Sequence, residues 1–181
     1  YFIYKGHPVG YEYELLQLLA KELNIGLKIQ VTSGVDRAIE QLNEGIGEVI
    51  AFPMTITKSR REAVAFSRPH FNTYQVLVQR KPSNWRKLSL DEINNNLIRD
   101  PTDLIGNNVY VTNGSSHALR LQHLSEELGG DILIKSDSLV SESELLIRKV
   151  AMGEIDFTVA DHTMARVNAA YYPNLDVSTV L

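Results

Sequence analysis

The chain contains no cysteine, which excludes disulfides, thiolate catalysis and cysteine-based zinc sites. It has no excess of basic charge. Its 18 Lys and Arg stand against 22 Asp and Glu, for a formal net charge of −4, so no broad positive field is available to hold a nucleic-acid backbone. No run of about 18 apolar residues occurs, and Tyr1-Phe-Ile-Tyr4 opens without the charged and apolar regions of a secretory leader. No bilayer span and no nucleic-acid partner are expected, and any membrane attachment would come through a signal or anchor absent from these residues. The 5 histidines show no metal spacing, since His117 and His123 fall on different faces of one helical pattern. No metal and no cofactor are expected.

What is present is an internal echo, about 105 to 108 residues apart. In the first half, Gly10-Tyr-Glu-Tyr-Glu-Leu-Leu16 opens a helical stretch to Leu23, followed by strand-like Leu27-Lys-Ile-Gln-Val31, a second helical stretch to Gly45, and Val49-Ile-Ala-Phe52. In the second, Ser116 to Leu128 leads to Asp131-Ile-Leu-Ile-Lys135, then to Gly153 and Ile155-Asp-Phe-Thr-Val-Ala160. Leu15, Leu16, Leu19 and Leu23 form one apolar stripe, and Leu121, Leu124 and Leu128 form its counterpart. Gly45, Gly129 and Gly153 stop helices. The strand candidates are short apolar runs without strict alternation, as parallel strands covered on both faces require. The class is α/β, with two lobes, each a mostly parallel sheet flanked by helices.

The boundaries follow the loss of periodicity. Residues 1–80 form the first lobe, residues 81–105 a crossing with an extra helix, and residues 106–181 the second lobe. Ser89 is the expected N-cap of the extra helix and Asp100-Pro101 its end, and Trp85 on the connector is expected to cap a core edge, with a ligand platform as the alternative. Gln75–Gln79 and Leu175–Val180 are expected to lie side by side as two hinge strands about which the lobes close.

The run Met54-Thr-Ile-Thr57-Lys-Ser-Arg60-Arg-Glu-Ala-Val-Ala-Phe66-Ser67-Arg-Pro69 resembles a signature of the type 3 bacterial extracellular solute-binding proteins. Gly10-Tyr-Glu-Tyr-Glu-Leu-Leu16, Gly114-Ser-Ser116 and Gly153-Glu-Ile-Asp156 with Ala160-Asp161 fit the same pattern. The resemblance covers the whole chain and implies a two-lobed, type II periplasmic-binding-protein-like fold. More narrowly, Tyr1-Phe-Ile-Tyr-Lys-Gly6, Val78-Gln-Arg-Lys81 and Val150 to Asp161 with Tyr172-Pro-Asn-Leu175 look like the amino-terminal domain of the membrane-bound lytic transglycosylase F family. That resemblance implies a periplasmic, membrane-associated parent with a separate peptidoglycan-cleaving module downstream. The chain itself is then a binding and sensory module with no catalytic residue. Glu142-Ser143 superficially resembles that module's catalytic pair, but no matching cleft sequence follows, and Glu142 is expected in a helix's first turn.

A small zwitterion needs a planar bidentate donor and free N–H groups for its carboxylate, and a carboxylate for its ammonium. Arg60 follows Phe52 by eight residues at a strand-end rim, Gly114-Ser115-Ser116 joins a strand to a helix start, and Asp161 ends a core strand. By resemblance, Arg60 clamps a ligand carboxylate, Thr55 adds a hydroxyl, Ser115 and Ser116 cap the carboxylate, Asp161 takes the amine, and Tyr1 forms an aromatic wall. Simpler alternatives stand beside these roles: Ser116 as a plain N-cap, Asp161 as a cap of the next helix, Arg61 as a surface cation. The ligand class is an amino acid, a short peptide or a peptidoglycan (muropeptide) fragment.

Two departures from the family pattern matter. Phe52-Pro53 adds bulk and removes an N–H before Met54. The family's first strand and its C-terminal return are not in the sequence, so the first lobe is expected to be incomplete, and either distorted or completed by another chain. The other functional readings are a stand-alone amino-acid-binding protein of an ABC transporter, a periplasmic lyase with Asp161, Glu14 or His162 as base, and a purely structural interaction domain.

Overall fold

The protein is described from a computed structural model covering residues 2–5, 7–32, 34–136, 140 and 142–181. Two compact units, Tyr1–Ser67 and Arg68–Leu181, divide the chain. This contact boundary precedes the one read from periodicity at residue 80, because the strand Gln75–Arg80 is hydrogen-bonded into the sheet of the second unit.

In the first unit, β1 (Phe2–Tyr4) and β2 (His7–Val9) form an antiparallel hairpin. Three helices follow: α1 (Tyr11–Leu23), α2 (Val35–Asn43) and α3 (Lys58–Ala63). Asn24, in the left-handed region at φ 53°, closes α1 with its N–H on the carbonyls of Ala20 and Lys21. The stretches 27–31 and 49–52, expected as strands, form no ladder. A parallel strand satisfies its backbone only through neighbours, and among the described residues none pairs with either stretch. Their side chains show the same thing, with Val31 76% and Val49 63% exposed, while Ala20 is the one buried apolar residue among the described residues of this unit.

The second unit holds β3 (Gln75–Arg80), α4 (Leu90–Asn95), β4 (Asn108–Val111), α5 (Ser116–Leu128), β5 (Leu133–Ser136), α6 (Ser143–Met152), β6 (Phe157–Asp161), α7 (His162–Tyr171) and β7 (Leu175–Val180). The sheet order is β5-β4-β6-β3-β7. Pairing is parallel for β4 with β5 and β6, and antiparallel for β3 with β6 and β7, so the α/β class holds with a mixed sheet. β3 and β7 lie side by side as expected, with Leu77 opposite Thr179 and a bulge before Gln79 opposite Asp176.

The run Val76-Leu77-Val78 is fully buried because the sheet is covered on both faces. Val76 and Val78 pack with Ile147, Val150, Ala160 and Ala165 on the α6/α7 face. Leu77 packs with Val109, Val111, Leu121, Leu124 and Val159 on the α5 face. Each such Val or Leu contributes roughly 1.5–3 kcal/mol of transfer free energy.

Local signals set several ends. Ser89 caps α4 through a reciprocal capping box with Glu92, which holds the Glu92 carboxyl below its usual range. Asp100-Pro101 does not end that helix, which stops at Asn95; it starts a separate 3-10 turn, Pro101–Leu104, in which the Asp100 carboxylate accepts from Thr102 N–H. Glu142 sits at the N-cap position of α6, one residue ahead of its first turn, and makes no capping hydrogen bond there. Trp85 lies half-buried with the Lys81 ammonium 4.7 Å from its ring centre.

Candidate functional site

In the first unit, the Met54-to-Arg60 signature folds into a tight entry to α3. Thr57 is the N-cap, its hydroxyl accepting from the Arg60 N–H at 3.3 Å. The Arg60 guanidinium turns back to donate to the Thr55 carbonyl at 3.0 Å. Burial lowers its pKa while the Asp36 carboxylate opposes that shift; an arginine stays charged regardless. Backbone and side chain of Arg60 are both fixed by the threonines ahead of it, whereas Arg61 is exposed, as expected. Thr55 is exposed, Glu14 is exposed on α1, and Tyr1 lies outside the described residues.

The second unit places Ser115, Ser116, His117 and Asp161 after the carboxyl ends of its parallel strands β4 and β6. β4 and β6 are parallel neighbours, with Val109 opposite Phe157 and Tyr110 opposite Thr158, so both leave the sheet at the same edge. Such carboxyl ends of parallel strands are where α/β sheets bind ligands. β4 leads through Thr112 and Gly114 into α5, and β6 leads directly into α7. Ser115, not Ser116, is the N-cap of α5, accepting from Ala118 N–H at 3.4 Å. Ser116 is the first helical residue. Asp161 occupies the N-cap position of α7 but makes no capping hydrogen bond to it, and its side chain is 35% exposed. The Asp161 carboxylate is thus not consumed by its own helix.

Two residues without an assigned role in the sequence stand at this edge. His117 continues the Leu121–Leu124 stripe of α5 toward the helix start and is 7% exposed; its Nε2 is 3.9 Å from Asp161 Oδ1, and among the described residues neither ring nitrogen has a hydrogen-bond partner. Gln75 lies opposite Asp161 in the β3–β6 register, and its buried Oε1 has no hydrogen-bond partner among the described residues. The signal for His117 was its i, i+4 spacing to Leu121, which places a polar ring on a core-facing stripe. His162 stacks on Tyr74 at 4.4 Å between ring centres, while its N–H is bonded to the Tyr74 carbonyl.

Among the described residues, no group of three or more His, Cys, Asp or Glu is placed to hold a metal ion, and no helix is long and apolar enough to cross a membrane. An open groove of about 500 Å³ in the first unit, lined by Tyr13, Gln17, Ala20, Ile25 and Ile29, contains none of the expected site residues. It lies where α1 faces the unpaired stretch after it.

A doubly covered α/β sheet with polar groups after its parallel strand ends has the architecture in which such sheets hold ligands. The model of the bacterial extracellular solute-binding proteins, family 3, matches residues 1–173, and the chain belongs to that family. It is similar to membrane-bound lytic murein transglycosylase F of Desulfosudis oleivorans, 32% identical over 98% of this chain and 36% of that protein. The counterpart from Pseudomonas putida is 30% identical over 98% of this chain and 34% of its own length. The chain thus spans about a third of the length of the curated relatives it matches. Among solved structures, holo ArgBP from T. maritima is 28% identical with a TM-score of 0.76, covering 99% of this chain and 72% of that one. An ancestral arginine-binding protein bound to arginine shares the fold at 23% identity, with a TM-score of 0.75 over 97% of this chain and 71% of its own.

Proposed function

We propose that this chain is an extracytoplasmic ligand-binding and sensory domain that takes up an amino acid, a short peptide or a muropeptide, and that it regulates a lytic transglycosylase module in a protein built like its relatives. The observation that carries the reading is the strand-end edge of the second unit, where the N-terminus of α5 and an uncommitted Asp161 carboxylate offer opposite charges to one small zwitterion. By the family pattern, Arg60 and Thr55 are assigned to the ligand carboxylate, Ser115 and Ser116 to hydroxyl and amide donation, and Asp161 to the amine. Tyr1 is carried in the same proposal as an aromatic wall. Such a domain resides in the periplasm and performs no chemistry on what it binds.

Calorimetry with a panel of L-amino acids, L-alanyl-D-glutamate and soluble muropeptides tests this. Arg60→Ala is expected to cost roughly 2–5 kcal/mol of binding with the fold retained, Arg60→Lys to restore part of it, and Arg61→Ala to change less than about 0.5 kcal/mol. Equal binding by both alanine variants refutes the carboxylate clamp. The names of the arginine-binding neighbours favour a second reading, amino-acid capture for import through an ABC transporter. A parent protein whose cleavage of peptidoglycan strands responds to the bound ligand decides for the sensory role.

A further inference from the structure

The chain has 12 asparagines, and Asn113 alone is followed by glycine. That pair carries its own chemistry. The backbone nitrogen after an asparagine attacks the side-chain amide carbon when the two come together, and a Cβ on the following residue crowds that approach; glycine has none. Every other asparagine precedes a residue with a Cβ, among them Ile25, Thr73, Trp85, Val109 and Leu175.

The fold sets the Asn113-Gly114 pair at the corner of a turn. Thr112, just after β4, is buried, and the Ser115 N–H donates to the Thr112 carbonyl at 3.3 Å, so Asn113 and Gly114 are the two central residues of a four-residue turn. Both are exposed, and Gly114 stands in the left-handed region at φ 65°. Several other asparagine side chains are tied back to the main chain. Asn96 Nδ2 donates to the Glu92 carbonyl at 2.8 Å, Asn107 Nδ2 to the Asp103 carbonyl at 2.8 Å and Asn174 Nδ2 to the Ala151 carbonyl at 2.9 Å. Such a bond holds the side chain in one rotamer and away from the nitrogen of its own next residue. The turn at Asn113 runs directly into α5, whose N-cap is Ser115.

We propose that Asn113-Gly114 is a self-modification site, at which Asn113 deamidates and sets a new carboxylate at the mouth of α5. The Gly114 backbone nitrogen forms a bond to Asn113 Cγ, the Cγ–Nδ2 bond breaks, and ammonia leaves with the proton that the Gly114 amide gives up. Water then opens the five-membered imide at one or the other carbonyl, giving aspartate or isoaspartate. The net change is hydrolysis of one amide, with water as the only co-reactant. The product carboxyl, with an ordinary pKa of about 3.9, adds one negative charge at neutral pH. It stands two residues ahead of the Ser115 cap, at the positive end of α5, where it competes with any anion held there. That competition rests on the reading of this edge as the binding site; the modification itself does not.

The test incubates the folded 181-residue chain at mildly alkaline pH and follows ammonia release, intact mass and peptide maps, with isoaspartate detected by enzymatic methylation. The peptide holding Asn113 is expected to convert about tenfold or more faster than those holding the exposed Asn72 and Asn84. Asn113→Gln, which would need a six-membered imide, is expected to abolish the early ammonia and to leave the thermal midpoint in place. Asn113→Asp reproduces one product. In calorimetry with the twenty L-amino acids and L-alanyl-D-glutamate, it is expected to bind about fivefold more weakly than wild type at low ionic strength, with the gap closing as salt is added. If Asn113 keeps its amide in the folded chain while converting in urea, or converts no faster than Asn72 and Asn84, the proposal is overturned. Equal binding by Asn113→Asp and wild type overturns the competition and leaves the modification standing. A panel with no binder overturns the reading of the edge, and the peptide map still decides the modification.

Discussion

The Arg99–Asp176 pair permits a quantitative forecast. Asp176 is 8% exposed, and its carboxylate accepts from Arg99 Nη1 at 2.6 Å and Nη2 at 3.1 Å, and from Ser178 N–H at 3.3 Å. Burial alone would raise its pKa. The Arg99 hydrogen bonds and charge, with the Ser178 donors, outweigh burial and hold the carboxyl below its usual range. Removing Arg99 leaves a buried carboxylate with only weak donors, whereas removing the Asp176 charge leaves a guanidinium that is 34% exposed, reaches water and keeps Asn94 at 2.7 Å. Arg99→Ala is therefore expected to cost about 3 kcal/mol, the low end for a broken buried pair, and Asp176→Asn about 1.5 kcal/mol. The lone Trp, Trp85, lies in the second unit and reports its unfolding by fluorescence. With a urea slope of about 2 kcal/mol/M, Arg99→Ala should lower the midpoint by about 1.5 M. A folded pKa below the unfolded value, about 3.9, gives stability that is present above that pH and is lost as acid protonates the folded carboxyl. The gap between wild type and Asp176→Asn should be constant at neutral pH and close below about pH 4. A shift under about 0.3 M for Arg99→Ala, or a larger loss for Asp176→Asn than for Arg99→Ala, refutes this reasoning.

Other consequences are equally direct. Gly153 ends α6 at φ 82°, and an added Cβ there would stand 3.3 Å from Arg80 Nη1, which donates to the Val150 carbonyl; Gly153→Ala should cost about 1–2 kcal/mol by urea unfolding. Ser89→Ala removes the α4 cap and should cost about 1 kcal/mol, with Ser89→Asp largely neutral, read as thermal midpoints. Leu77→Ala opens a cavity on the α5 face and should cost about 2–5 kcal/mol. In hydrogen exchange, the amides of β3 and β6 should be protected close to the global stability, while those of α1 and α2, which together bury only Ala20, exchange at lower free energy.

What was legible in the sequence was what local physics decides. Gly129 and Gly153 close α5 and α6 in the left-handed conformation, and Ser89 with Glu92 announces α4. The strands Leu133–Ser136 and Phe157–Asp161 appear within a residue or two of their expected places. Where partners are remote, the sequence was silent or misleading. Apolar runs at 27–31 and 49–52 have strand composition, yet a strand exists only in a ladder, and composition carries no record of whether a neighbour is present. Periodicity likewise does not distinguish the antiparallel pairing of β3 from the parallel pairing of β4. The Gln79–Arg99–Asp176 network joins residues 97 positions apart and has no local trace. At the start of α5, a shift of one residue exchanged Ser116 for Ser115 as cap, within the ordinary uncertainty of helix ends.

The α5-facing edge residues of β3 show why the misses fall where they do. A sequence specifies a fold when every buried polar group finds a partner, and Gln79 obeys that rule through Ile98 and the Asp176 neighbourhood. Gln75 and His117 break it among the described residues, four residues from Gln79 and four from Leu121 respectively. A fold optimised only for stability would place Leu or Phe at these positions, since an unpaired buried acceptor costs about 1–3 kcal/mol. Their cost is local and falls on a single edge, where Asp161 already leaves its helix uncapped and where the parallel strands end.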